Sequence, residues 1–252
     1  MPPYLDGLVW LLLLLGPLLF LQRSLQRQTQ AVFLLLTRRA DIAIVLFSLL
    51  FFPGVLLHET SHYLMAHLLG VRTGRFSLLP RPVGQGRLRL GYVETTATDW
   101  LRDALIGVAP LLLGGAFVAY AGVVQLGLVA VWEQWARLGP PGSWQAFETI
   151  YAQPDFWIWF YLTFAISSTM LPSASDRRAW LPMALFAGLL LAGSLLFGAG
   201  PWLVLHAAPT FNRLLQGAAV VVAISDLVHL VLLPPAWALH RLLSRLTGFD
   251  IA

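Results

Sequence analysis

Long apolar blocks separated by short polar breaks set the architecture of this chain. The blocks fall at 5–21, 41–69, 100–132, 156–172, 180–205 and 214–239. Each comes close to or exceeds the ~20 apolar residues that a helical membrane crossing needs. Within them the apolar residues run all round rather than in a 3.6-residue stripe, as expected of helices that face lipid. The pattern predicts an all-α polytopic membrane protein with about six transmembrane helices.

The breaks carry their own signals. Residues 22–39, "QRSLQRQTQAVFLLLTRR", are amphipathic and basic, which predicts a segment lying along the membrane interface. Residues 72–98 change period: Arg87-Leu88-Arg89-Leu90 alternates, with Gly and Pro around it, predicting a small β-hairpin. Residues 133–154 are rich in Trp, Gly and Pro and read as a loop, with Trp132, Trp135 and Trp144 as interface anchors. The chain divides into residues 1–40 (first helix and interfacial segment), 41–180 (a core containing the hairpin) and 181–252 (two further helices). The first block has no basic residue before it and no small-residue cleavage site after it, so it reads as a retained helix rather than a signal peptide.

Composition supports the membrane reading. The chain is 58% hydrophobic and 11% charged, against roughly 25% charged residues in soluble domains. All 16 basic residues are arginine, scattered between apolar blocks in a way that suits lipid headgroups and not nucleic acid. Cysteine is absent, which excludes thiol nucleophiles and thiolate metal sites; a metal would have to be held by His, Asp or Glu. If the hairpin is cytoplasmic, parity over six spans puts Arg177, Arg178, Arg241 and Arg245 on its side. Glu133, Glu148 and Asp155 then fall outside, and Arg23, Arg27, Arg38 and Arg39 oppose the assignment.

Against this apolar background, "GVLLHETSHYLMAHLLG" places His58, Glu59 and His62 within five residues. Four residues apart on a helix, the two imidazoles face one point, as zinc requires of a histidine pair. Glu59 lies one step round the helix, where its carboxylate can act as general base on a water without binding the metal. His-Glu-x-x-His is the metalloprotease signature, and ionisable groups inside a membrane helix are usually functional. His67 points away from the pair. The third ligand is open between Asp176, in "SSTMLPSASDRRAW", and Asp226, which with His229 could instead form a gate or an internal polar pair.

The motif helix, the hairpin and the following Pro172-x-x-x-Asp176 turn resemble the site-2 protease family of intramembrane zinc metalloproteases, over about residues 41–180. The resemblance implies a three-helix core and one zinc per chain, held by His58, His62 and Asp176, with Glu59 catalytic. It implies a transmembrane protein as substrate, cut by regulated intramembrane proteolysis, with Ser168 helping to hold it. Independently of the resemblance, the hairpin edge from Arg87 to Val93, with Arg87, Leu88, Arg89 and Leu90, either pairs with the extended substrate by strand addition or caps the bundle with its arginines reaching the headgroups. Serine stands at 168 where the family usually has asparagine, Arg177 replaces its usual glycine, and "GVAPLLLGG" lacks the asparagine of its Gly-Pro-x-x-Asn type stretch. The expected location is a prokaryotic plasma membrane, multi-pass, with the active site opening toward the cytoplasm. Competing readings are a catalytically silent metal-binding regulator, a proton-coupled transporter using Asp226 and His229, and a serine dyad of Ser194 with His229.

Overall fold

A computed structural model describes residues 5–78, 81–82 and 88–249. It is mainly helical. Helix α1 spans Asp6–Thr37, α2 Ala40–Leu68, and α3 Trp100–Tyr120, prolonged by a π turn over Ala121–Gln125. Two short helices follow, α4 (Leu128–Leu138) and α5 (Pro140–Tyr151), then α6 (Phe156–Ser167) and α7 (Trp180–Leu196). A one-turn helix α8 (Gly200–Trp202) and a π turn lead into α9, Ala208–Thr247. Four helical stretches are long and apolar enough to cross a membrane: 6–37, 40–68, 100–125 and 200–247.

The described residues between 72 and 98 form two antiparallel strand pairs, in keeping with the expected hairpin. Strand β1 (Thr73–Ser77) pairs antiparallel with β4 (Tyr92–Thr95), and β2 (Arg81–Pro82) pairs antiparallel with β3 (Leu88–Arg89) inside it. Asp99 then caps α3 by accepting the Arg102 N–H at 3.0 Å.

Three expectations are corrected. The segment 22–39 is no separate interfacial element, because α1 continues through it to Thr37. Its arginines, Arg23 and Arg27, are exposed, while Ser24 and Leu25 turn inward. The loop expected at 133–154 is mostly helical. Gly139, with φ +68, makes the turn between α4 and α5, and Pro140 opens α5 at the first helical position, where a missing N–H costs nothing. The Pro-Gly cluster that looked like a loop is a helix–turn–helix junction.

The third correction concerns the count of spans. Helix α6 has 12 residues and α7 has 17, about 18 and 25 Å at 1.5 Å per residue. Alone, each falls short of a hydrocarbon core of roughly 30 Å. Their contacts order them along α3: Trp159 lies beside Tyr120, Met170 beside Gly114, Asp176 beside Gly107 and Phe186 against Trp100. Arg178 also forms a two-pronged ion pair with Asp103, both bonds 2.7 Å. The chain from α6 through α7 therefore descends α3 in a single direction.

Helix α9 consequently runs parallel to α1, and the two pack along their length. Asn212 and Gln216 bond Asp6 near the start of both helices, and His240 bonds Gln28 at 2.5 Å further on. At the far end Arg38 lies over the Phe249 ring. Arg241 and Arg245 thus share an end of the bundle with Arg38 and Arg39, opposite the hairpin. This overturns the parity behind a cytoplasmic hairpin, because two of the arginines credited to its side lie on the other.

Since the chain lacks cysteine, single cysteines report sidedness cleanly. Cysteine at Arg39 and at Phe249 should react with a membrane-impermeant thiol reagent from the same side, and cysteine at Ala97 from the opposite one. Labelling of 249 together with 97 would disprove the parallel arrangement of α1 and α9.

Candidate metal centre

The site is assembled from the middle of α2 and the break between α6 and α7. His58 and His62 lie one turn apart on α2, their rings 4.9 Å between centroids. Each is oriented by a backbone carbonyl: His58 Nδ1–H donates to Thr169 O at 2.7 Å, and His62 Nδ1–H donates to Ile106 O at 2.8 Å. With the proton on Nδ1, each Nε2 presents a lone pair. The two Nε2 atoms are 3.2 Å apart.

Asp176 completes the group. Pro172 follows the end of α6, and the chain turns so that the Ser173 N–H donates to Asp176 Oδ2 at 2.7 Å. The carboxylate then lies 3.6 Å from His58 Nε2 through Oδ2 and 3.4 Å from His62 Nε2 through Oδ1. Zinc–ligand bonds near 2.0–2.1 Å in a tetrahedron separate ligand atoms by about 3.4 Å. The separations of 3.2, 3.4 and 3.6 Å bracket that value. All three ligand atoms lie within 4.8 Å of one another. Three acceptors aimed at one point repel unless a cation sits between them, so the donor set fits a metal ion. Asp226 is not part of this group; the open choice of third ligand falls to Asp176.

Close backbone approach makes the geometry possible. A Cβ on Gly107 would collide with the Asp176 carbonyl, and one on Gly54 with the Ala165 carbonyl of α6. Gly54 lets α2 and α6 come near enough for the Thr169 carbonyl to reach His58, and Gly107 lets the Asp176 turn seat against α3 beside the Ile106 carbonyl that holds His62. Nothing in the apolar pattern singled these two out.

Glu59 faces the hairpin. It is 8% exposed, and a Cβ on Gly91 would stand 2.8 Å from Glu59 Cγ and 3.1 Å from Oε1. The strand dips into the bundle there: Gly91 and Tyr92 are buried, and Leu90 packs against the cluster of Phe47, Phe51 and Val55. The hairpin is therefore a wall of the site. Of the expected substrate strand, Leu88 and Arg89 form β3, Leu90 packs inward, and Arg87 lies outside the described residues.

Other expected residues are placed elsewhere. Ser168 is 3% exposed and its hydroxyl meets His229 Nε2 of α9 at 3.0 Å. Ser61 and Ser167 are fully buried and bond back to their own helices. His67 is exposed, stacked on Tyr63. Asp226 and His229 do not form the expected polar pair. His229 bonds Ser168 and the Ser225 carbonyl, while both Asp226 carboxylate oxygens are buried without a hydrogen-bond partner among the described residues. Ser194 bonds its own helix at Leu190 O on α7, which has no buried residue.

No family model, curated protein or solved structure matches this chain.

Gly107→Ala should displace the Asp176 turn and lower metal affinity at least about tenfold while leaving all three ligands in place. Gly188→Ala, with open space around it, should change nothing. Equal zinc affinity of the two variants by chelator competition would refute the close-approach account.

Proposed function

We propose that the chain is an intramembrane zinc metallopeptidase of the site-2 protease type, cutting a peptide bond within or beside a transmembrane segment of another protein. The observation that carries this reading is the convergence of three acceptor atoms, from His58, His62 and Asp176, with the buried Glu59 next to His58 on the same helix. A metalloprotease needs three protein ligands and a neighbouring base that is not itself a ligand. A zinc ion held there would polarise the scissile carbonyl and acidify a water.

The remaining roles belong to the chain. The carbonyls of Ile106 and Thr169 hold the imidazoles in the tautomer that leaves Nε2 free to ligate. Glu59 takes a proton from the attacking water and delivers it to the departing amine. A helical substrate hides its backbone groups and must be extended before attack. Among the described residues β4 pairs with β1, and a substrate extended along this hairpin by strand addition would lie near Glu59, against which Gly91 packs. Water reaches this depth only where backbone and side chains line a polar cavity, and the interruption between α6 and α7 supplies non-helical backbone at that level.

One observation favours a second reading, a metal-binding membrane regulator without catalysis: Gly91 lies against Glu59 and covers it. Glu59→Gln separates the two. For a peptidase, the variant should retain about one zinc per chain and lose cleavage of a transmembrane peptide in proteoliposomes by at least about 10²-fold. Zinc bound by the parent with no cleavage of any transmembrane substrate, and full biological activity of Glu59→Gln, would support the regulator.

A further inference from the structure

Helix α6 stops at Ser167 in the interior of the bundle; its last turn is closed by local bonds to the Phe164 and Ile166 carbonyls, and the carbonyls just past its end, of Ser168 and Thr169, are met by other helices. In a membrane each must find a donor. Thr169 O receives His58 Nδ1–H. The adjacent carbonyl, Ser168 O, receives two side-chain amides from α1: Gln22 Nε2, in a short bond, and Gln26 Nε2 at 3.3 Å. The hydroxyl of the same residue is held by α9. His229 Nδ1–H donates to Ser225 O at 2.7 Å, so its Nε2 is an acceptor, and Ser168 Oγ–H donates to it at 3.0 Å. His229 is fully buried, with Phe164 packed on its ring.

Ser168 is therefore gripped at its carbonyl by α1 and at its hydroxyl by α9, one peptide unit before the carbonyl that orients His58. We propose that Gln22, Gln26 and His229 are positioning residues for the metal centre: they fix the end of α6 and, through Thr169 O, set the tautomer and direction of His58. Helices outside the motif core thereby govern metal affinity. This rests on the metal reading of His58, His62 and Asp176.

Two further observations support it. His229 is a buried polar group in an apolar stretch of α9, where such a group is costly unless used, and Gln22 and Gln26 are half-buried toward α6 while their neighbours Arg23 and Arg27 face out. The same helix pair also carries polar contacts that do not touch α6, such as Gln28 with His240. These provide an internal control for mere α1–α9 packing.

The test is zinc affinity by chelator competition on the full-length protein in detergent, with the visible absorption of the cobalt-substituted form as a readout of ligand geometry. Gln22→Leu/Gln26→Leu and, separately, Ser168→Ala should weaken zinc binding about 10–100-fold and alter the cobalt band. Gln28→Leu should leave both unchanged even if it lowers the melting temperature. Ser168→Ala deletes a single oxygen, so it reports even if the double variant fails to fold. His229→Gln, which keeps an acceptor for the Ser168 hydroxyl, should bind zinc more tightly than His229→Ala. Parent-like affinity and spectrum in Ser168→Ala and in whichever glutamine variant folds would overturn the proposal and leave the metal site standing. A parent that binds no zinc would overturn both.

Discussion

A helix that ends inside a bilayer must have its last carbonyls satisfied by something other than water, and the C-terminus of α6 imposes that demand here. Leaving a backbone carbonyl bare in hydrocarbon costs several kcal/mol, whereas a made hydrogen bond contributes only about 1 kcal/mol net. Avoiding the penalty outweighs the gain, so the surrounding helices are committed to supplying donors. His58 answers for Thr169, and Gln22 and Gln26 answer for Ser168. The break that creates the demand also frees the chain to turn at Pro172 and present Asp176. One interruption thus accounts for the third acceptor and for the orientation of the first.

Proximity does the rest, and small residues supply it. Three glycines stand at three crossings of the site: Gly54 against α6, Gly107 against the Asp176 turn and Gly91 against Glu59. Small residues at helix contacts are a general means of bringing backbones together in membranes, where apolar burial gives no net drive to association. Here they also set electrostatics, because they bring carbonyl dipoles within hydrogen-bond distance of imidazoles. The ion pair of Arg178 with Asp103 closes the far side of the turn where α7 begins.

The sequence pattern located the motif helix, the hairpin and the apolar character of the chain, because each depends on local periodicity. His58 and His62 were visible through their four-residue spacing, and Asp176 through resemblance to a family motif. What escaped was decided by non-local packing. The glutamines of "QRSLQRQTQ" looked like the wet side of an interfacial helix, yet Gln22 and Gln26 turn toward α6 while the arginines face out. Helices α6 and α7 read as two crossings because hydropathy cannot tell that both lie along one neighbour. Asp226 and His229, three residues apart, suggested a mutual pair, but the Ser168 hydroxyl claimed the histidine. Gly91 carried no signal beyond a residue between two strand-like stretches.

The parallel pairing of α1 with α9 joins residues separated by almost the whole length of the chain. During synthesis α1, α2 and the hairpin enter the membrane first, and α6 emerges with Ser168 gripped from one side only. The imidazole of His229 arrives more than sixty positions later. Until then the α6 terminus is incompletely held, and the polar face of α1 that α9 will cover has no occupant. With the positioning role proposed for His229, maturation of the centre would be tied to completion of the polypeptide: a truncated or stalled nascent chain would carry the His-Glu-x-x-His helix without its last brace.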